Sequence, residues 1–191
     1  MSIGKQNRVR RSRAGLTLLE AVLAIGVMTL AVSLFSTMVV STSRQRVANH
    51  EYPVASEEVR VLLESMRNAD FREVFALYNA DPADDPGGPG TAPGHRFAVE
   101  GLEPLENSPD GLVGEIFFPV TPVLDGPDEL REDMVDDSLG MPRDLNADSM
   151  VDDANHSGDY TVLPIRVELD WRGKYGDRHL EVYTMLAEFR K

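Results

Sequence analysis

The chain has 191 residues, of which 32 are acidic and 19 are basic, so its formal net charge at neutral pH is −13. An acidic balance of this size argues against direct binding of nucleic acid or of an anionic membrane face by bulk electrostatics. The absence of cysteine excludes disulfides and thiol chemistry.

The N-terminus is basic, and an apolar segment follows it. Five bases and no acid precede Gly15, and residues 21–43 carry no charged side chain. This run of 23 residues is long enough to cross a bilayer as a helix, which takes about 20 residues. One carboxylate, Glu20, stands at the head of the run. A glutamate in a membrane helix is costly, so it is a functional candidate by default.

This arrangement resembles the N-terminus of type IV prepilins and of the pseudopilins of type II secretion. The residues that carry the resemblance are the basic leader, the Gly15-Leu16 junction, Glu20 five residues after the glycine, and the apolar run. The resemblance implies a leader peptide of residues 1–15 that a prepilin peptidase removes after Gly15. It also implies N-methylation of Leu16, where the family most often has phenylalanine, and a role for Glu20 in assembly.

The same resemblance implies partners and a location. The partners are the prepilin peptidase and methylase, other pilin or pseudopilin subunits, and inner-membrane lipid. The location is the inner (cytoplasmic) membrane, crossed once by a transmembrane and assembly helix of residues 16–43. Positive charge favours the cytoplasmic side of a membrane, so the N-terminus is expected in the cytoplasm and the ectodomain in the periplasm or outside the cell.

Two simpler interpretations of this N-terminus are a cleaved secretory signal and a signal anchor. A cleaved secretory signal has a shorter apolar region, followed by a small-x-small cleavage site. A signal anchor fits the length and the charge bias but does not explain Glu20. The alternative function is therefore a signal-anchored extracytoplasmic module that binds calcium or carbohydrate, retains residues 1–15 and does not polymerise.

An amphipathic continuation of the helix is predicted over residues 44–80. Pro53 disfavours helical geometry at Tyr52, so a kink or short break is expected there. From Val54 to about Tyr78 the helical spacing resumes, with an apolar side and a charged side. The apolar side comprises Val59, Leu62, Leu63, Met66, Val74, Phe75 and Tyr78, and the charged side comprises Glu57, Glu58, Arg60, Glu64, Arg67 and Arg72.

Residues 81–94 form a predicted loop, because eight of the 14 are proline or glycine. Residues 95–191 are predicted to be a β-rich ectodomain, with short extended runs at 96–99 and 112–120. Its acidic loop, 125–159, has few large apolar groups and is expected to form no core unaided.

The strongest strand signal is the alternation of apolar and polar residues from Ile165 to Trp171, which resumes from Leu180 to Leu186. It predicts a β-hairpin with one buried face, joined by a turn longer than two residues. Four aromatic residues are expected in the core: Phe71, Phe75, Trp171 and Phe189. The fold class is α+β, and it looks pilin-like, with a long N-terminal helix packed on an antiparallel sheet.

The acidic loop also contains a sequence similar to the calcium loops of EF-hand and dockerin proteins. Alternate residues of a tightly wound loop aim their oxygens at one point, and calcium takes six to eight oxygen ligands. Carried over by position, the resemblance implies ligation by Asp144, Asn146, Asp148, the backbone carbonyl of Met150, Asp152 and Asn155. Ser149 stands where the pattern has glycine, Asn155 stands where it prefers an acid, and Asp153 or Asp159 could substitute. The alternative is a solvated acidic loop with coincidental spacing.

No catalytic motif is found. The four histidines, His50, His95, His156 and His179, are scattered and lack zinc-type spacing. His156 is interpreted as a polar loop residue. A membrane-tethered hydrolase would require an acid and base pair that nothing in the sequence positions. The chain is therefore predicted to be a structural subunit and not an enzyme: a pseudopilin or minor pilin.

Overall fold

The computed structural model describes residues 17–123 and 128–188, with the backbone alone for residues 43–49. Gly15, Leu16 and Phe189 lie outside the described residues. The chain divides into two compact units, Met1–Gln45 and Arg46–Lys191. The class is α+β, with an apolar helix near the N-terminus and an antiparallel sheet.

Helix α1 runs from Leu18 to Asn68 and contains Pro53. The sequence predicted a kink or short break at Tyr52; the break is contradicted, because the helix is continuous there. The residues around the proline have tertiary partners: the Tyr52 ring packs edge-on against Trp171 at 5.3 Å, and Ala55 is completely buried. These contacts offset the local cost of proline in a helix, which is about 3 kcal/mol.

The predicted helix over residues 54–78 is interrupted after α1. Asp70 has extended backbone angles, and its side chain accepts a hydrogen bond from the Arg72 amide at 3.1 Å. This local bond competes with helical bonding, so a short 3₁₀ helix (Phe71–Glu73) and helix α2 (Val74–Tyr78) follow. The prediction of a single helix to Tyr78 is therefore wrong.

The predicted apolar side of this region is nevertheless the side that packs. Val59, Leu63, Met66, Val74, Phe75 and Tyr78 are buried, and Leu62 is partly buried. Five of the six charged residues assigned to the other side are exposed, and Glu58 is half-buried. The spacing of three and four residues thus selects the face that meets the core.

Residues 81–94 contain neither helix nor strand, as predicted. The strands that follow are β1 (Arg96–Phe97), β2 (Glu103–Pro104), β3 (Gly114–Phe117), β4 (Val120–Thr121), β5 (Glu129–Leu130), β6 (Val162–Gly173) and β7 (Gly176–Ala187). The long strands β6 and β7 dominate the main sheet. Strand β6 pairs with β3, β2 and β7, and β1 pairs with β3, all antiparallel. A separate two-stranded sheet joins β4 and β5.

The β6–β7 hairpin is confirmed, but its turn is shorter than predicted. Gly173 pairs with Gly176, so only Lys174 and Tyr175 form the turn. The tight connection requires a left-handed residue, and Gly176 supplies it with a φ of 124°. The predicted inner face is completely buried on β6: Ile165, Val167, Leu169 and Trp171.

The described part of the acidic loop, residues 128–159 and here called the acidic segment, contributes to the common core. Leu130, Leu139, Met141 and Leu145 are all buried and belong to the same cluster as the helix and sheet residues. The segment has too few apolar residues for a core of its own, as expected. Packed against the rest of the second unit, however, those few are enough to anchor it.

Candidate functional site

The first candidate site is the apolar part of α1. Residues Leu18–Thr42 form a helical segment that is long and apolar enough to cross a membrane, and all but Ala21 have exposed side chains. Five of its six hydroxyl side chains donate to carbonyls of the same helix. The Thr29, Ser33 and Ser36 hydroxyls donate to carbonyls one turn earlier at 2.8–2.9 Å. Such internal bonding lowers the cost of hydroxyl groups in a bilayer.

Glu20 is the only ionisable residue of this segment. It lies in the first turn of α1 and is exposed. Its backbone amide donates to the Thr17 hydroxyl at 3.3 Å, and the helix dipole favours a carboxylate at this end. Among the described residues, none pairs with its carboxylate. Its position at the head of the apolar segment agrees with the position inferred from the sequence.

The second candidate site is the acidic loop. Both carboxylate oxygens of Asp144 accept backbone amides of the loop, from Ala147 at 2.6 Å and Ser149 at 2.7 Å. Ala147 and Ser149 have φ values of 66° and 74°. Left-handed geometry is uncommon for residues other than glycine. Ser149 therefore makes the sharp turn at the position where the calcium-loop pattern has glycine.

The other predicted ligands turn the chain in the same way. The Asn146 side-chain oxygen accepts the Asp148 amide at 3.0 Å, and Asp148 accepts the Met150 amide at 2.8 Å. Asn155 accepts the Ser157 amide at 3.0 Å. The loop is thus tightly wound. Among the described residues, however, the carboxylates of Asp144, Asp148 and Asp152 do not form a group close enough to share one metal ion. Calcium at this set of residues stays a prediction.

The described part of the chain brings a different set together. One oxygen of Glu132, one of Asp152 and one ring nitrogen of His156 all lie within 4.8 Å of one another. Nε2 of His156 is 3.1 Å from Asp152 and 3.8 Å from Glu132, and Nδ1 is 3.1 Å from Asp159. Of these four residues, sequence reasoning assigned Asp152 as a ligand, named Asp159 as a substitute and did not consider Glu132.

Glu132 is almost fully buried, with 1% of its surface exposed. One carboxylate oxygen accepts the backbone amides of Leu145 and Asn146, at 2.6 and 3.2 Å. The other faces the Asp152 amide at 3.4 Å. The sequence feature that could have identified Glu132 is its position two residues after Leu130, which is buried. In an extended chain, residues two apart point to the same side.

His156 lies outside helix and strand, as a loop residue does, but it is buried, with 4% of its surface exposed. Its backbone amide donates to the Leu130 carbonyl at 2.8 Å and holds it against β5. Burial lowers the pKa of its ring, but hydrogen bonds to Asp152 and Asp159 and the charge of Glu132 outweigh this, so the pKa is raised. The pKa of Asp152 is lowered by the Ala154 amide and by His156.

The arrangement offers metal ligands: one imidazole nitrogen and two carboxylate oxygens, held by short backbone contacts. Comparisons with known proteins add no functional assignment. No protein-family model matches the chain, and neither a curated protein nor a solved structure matches it.

Proposed function

We propose that the chain is a structural subunit, a pseudopilin or minor pilin, of a type IV pilus-like or type II secretion filament. The observation that carries the proposal is the exposed apolar helix Leu18–Thr42 with a single carboxylate, Glu20, in its first turn. The Gly15-Leu16 junction and the basic leader that precede this helix in the sequence support the same conclusion.

In this proposal, processing and assembly use the same few residues. A prepilin peptidase cleaves the chain after Gly15. The cleavage leaves the amine of Leu16 at the head of the helix, where it is methylated. Glu20 then pairs with that amine on a neighbouring subunit. A carboxylate in a membrane helix is costly unless it is paired. Pairing with an amine removes part of this cost and selects the register in which the helices associate.

The second compact unit, Arg46–Lys191, suits the solvent-exposed part of such a subunit. From residue 16 onward the chain has 14 bases and 32 acids, a net charge of −18. Its apolar residues are gathered between the later part of α1 and the sheet. A domain of this charge and packing is suited to the surface of a filament whose core is made of apolar helices.

Processing is tested by the mass and N-terminal residue of the chain purified from membranes with and without a prepilin peptidase. We expect the peptidase to produce a chain that begins at N-methylated Leu16. A chain that retains Met1 in the presence of the active peptidase would contradict the proposal. It would leave a signal-anchored ectodomain as the function.

The role of Glu20 is tested by Glu20→Ala. We expect this variant to insert in the membrane and to be processed, but to be depleted at least tenfold from sheared filaments. Glu64→Ala is the matched control, because Glu64 is a glutamate of the same helix with 54% of its side chain exposed. Equal incorporation of the two variants would rule out the pairing role.

A further inference from the structure

The acidic segment carries a group of buried ionisable residues that the proposed filament role does not use. Glu132 lies next to β5, and Asp152 and His156 lie some 20 residues later, so the fold must bring them together. Glu132 is 1% exposed and His156 is 4% exposed. Burial of charged groups is costly unless a partner of opposite charge compensates it.

The protein residues around this group leave an excess of negative charge. Three carboxylates, from Glu132, Asp152 and Asp159, face one imidazole. The nearby guanidinium of Arg131 lies 2.8 Å from Asp133 and 3.8 Å from Asp153, and its charge also acts on Asp152. A divalent cation held by this group would offset part of this negative charge.

The distances also suit a bound ion. Around a tetrahedral zinc ion with bonds of about 2.0–2.2 Å, neighbouring ligand atoms are about 3.4 Å apart. The distances from Nε2 of His156, 3.1 Å to Asp152 and 3.8 Å to Glu132, bracket this value. The second ring nitrogen contacts Asp159 at 3.1 Å. A carboxylate on the outer nitrogen is the usual support of a histidine that binds a metal.

The carboxylate of Glu132 is already oriented for this role. Its first oxygen accepts the Leu145 and Asn146 amides. Its second oxygen accepts the Asp152 amide at 3.4 Å and lies 3.8 Å from Nε2 of His156. Asp152 has 39% of its side chain exposed. The site is therefore reached from solvent on the Asp152 side, where water can complete the coordination.

We propose that Glu132, Asp152 and His156 form a structural binding site for a divalent cation of the zinc class. The imidazole nitrogen decides the class of metal, because zinc accepts nitrogen ligands and calcium takes oxygen ligands. The bound ion joins Glu132, which follows β5, to Asp152 and His156 later in the same segment. This inference does not depend on the filament role, since it concerns only the second compact unit.

The test is zinc binding by the full-length chain in detergent after removal of metals with a chelator. We expect one zinc ion per chain after dialysis, measured by elemental mass spectrometry, and an absorption spectrum of tetrahedral type when cobalt replaces zinc. His156→Gln is expected to weaken zinc binding at least tenfold. Asp159→Asn, which alters only the support of the imidazole, is expected to weaken it about 10- to 100-fold.

Asp137→Asn is the control, because Asp137 is an exposed acid of the same segment that lies outside this group. We expect it to leave zinc binding unchanged. Absence of zinc from the wild-type chain would overturn the proposal, and so would zinc binding that His156→Gln does not weaken. A single site that prefers calcium and is lost in Asp144→Asn would also overturn it. If His156→Gln fails to fold, the wild-type stoichiometry and Asp159→Asn still decide the question.

Discussion

Replacement of Tyr160 by phenylalanine removes one oxygen atom from a buried junction. Tyr160 follows the acidic segment and is 3% exposed. Its hydroxyl donates to the Phe71 carbonyl at 2.6 Å and accepts the Phe75 amide at 3.2 Å. The ring packs against Phe71 with 5.1 Å between centroids. Phenylalanine keeps this packing, so the variant isolates the two hydrogen bonds.

The size of the effect follows from what the lost oxygen leaves behind. The Phe75 amide is buried, and a buried polar group without a partner costs about 1–3 kcal/mol. We expect Tyr160→Phe to lower the free energy of unfolding by about 2 kcal/mol at neutral pH. Tyr183→Phe, at a side chain that is 46% exposed, is the control and is expected to change it by less than about 0.5 kcal/mol.

The same variant tests a pH dependence. Burial, with a smaller contribution from Asp70, raises the pKa of Tyr160 from 10 to about 12. The pKa of Tyr160 is higher in the folded state than in the unfolded state. The contribution of Tyr160 to the free energy of unfolding is therefore fully present below pH 10 and is lost as the pH rises through 12. A shift of this size corresponds to about 2–3 kcal/mol. We expect the wild-type protein to lose this stability between pH 10 and 12, and Tyr160→Phe to lack this component.

The measurement is urea unfolding of the full-length chain in detergent, followed by the fluorescence of Trp171, the only tryptophan and a fully buried one. Stability is obtained by linear extrapolation. The reasoning would be refuted by a Tyr160→Phe variant as stable as the wild type at neutral pH. It would also be refuted by equal losses of stability in the two proteins between pH 10 and 12.

Two further predictions use the same assay. Gly173→Ala would place a methyl carbon 2.8 Å from a Glu51 oxygen and 2.9 Å from the Gly176 carbonyl oxygen, whereas Gly158→Ala meets no atom within 4 Å. We expect the first to destabilise by about 1–3 kcal/mol and the second to have little effect; equal midpoints would contradict the described turn. Leu145→Ala removes a completely buried side chain of the acidic segment and is expected to cost about 2–5 kcal/mol. Met150→Ala, at a 60% exposed side chain, should cost less than about 0.5 kcal/mol; equal losses would mean that the segment is not anchored in the core.

Local periodicity accounts for most of the fold that the sequence predicted correctly. The alternation from Ile165 to Trp171 identifies the inner face of β6, because side chains of a strand alternate between two sides. The helical spacing of Val59, Leu63 and Met66 identifies the buried side of α1. Both patterns depend on neighbouring residues alone, and both agree with the structure.

The errors arose where distant residues or a single side chain override local preference. Proline disfavours a helix, yet α1 continues through Pro53 where its neighbours contact Trp171 and the core. In the other direction, helical spacing continued past Asn68, but the side chain of Asp70 binds the Arg72 amide and ends the helix there. Propensity is a weak prior in both cases, because one tertiary contact or one competing hydrogen bond is of the same magnitude.

The acidic segment shows the same division at the level of a site. The spacing of its short polar residues indicated a tightly wound loop, and the hydrogen bonds of Asp144, Asn146 and Asp148 show such a loop. The assignment of Asp152 as a metal ligand stays a prediction. The sequence did not identify Glu132, which lies 20 residues before Asp152 and reaches it only after β5 has packed. Nor did it reveal that His156 is buried, since the two contacts that hold it, to Leu130 and Glu132, come from another part of the chain.

The sequence by itself determined the apolar span with its leading carboxylate, the acidic character of the rest, and the hairpin. Each of these is a property of consecutive residues. The tertiary structure decided the register of the hairpin, the continuity of α1 at Pro53, and the grouping of Glu132 with His156. These depend on which surfaces meet when apolar residues leave water, and burial then sets the partners and pKa values of the charged groups that are carried inside.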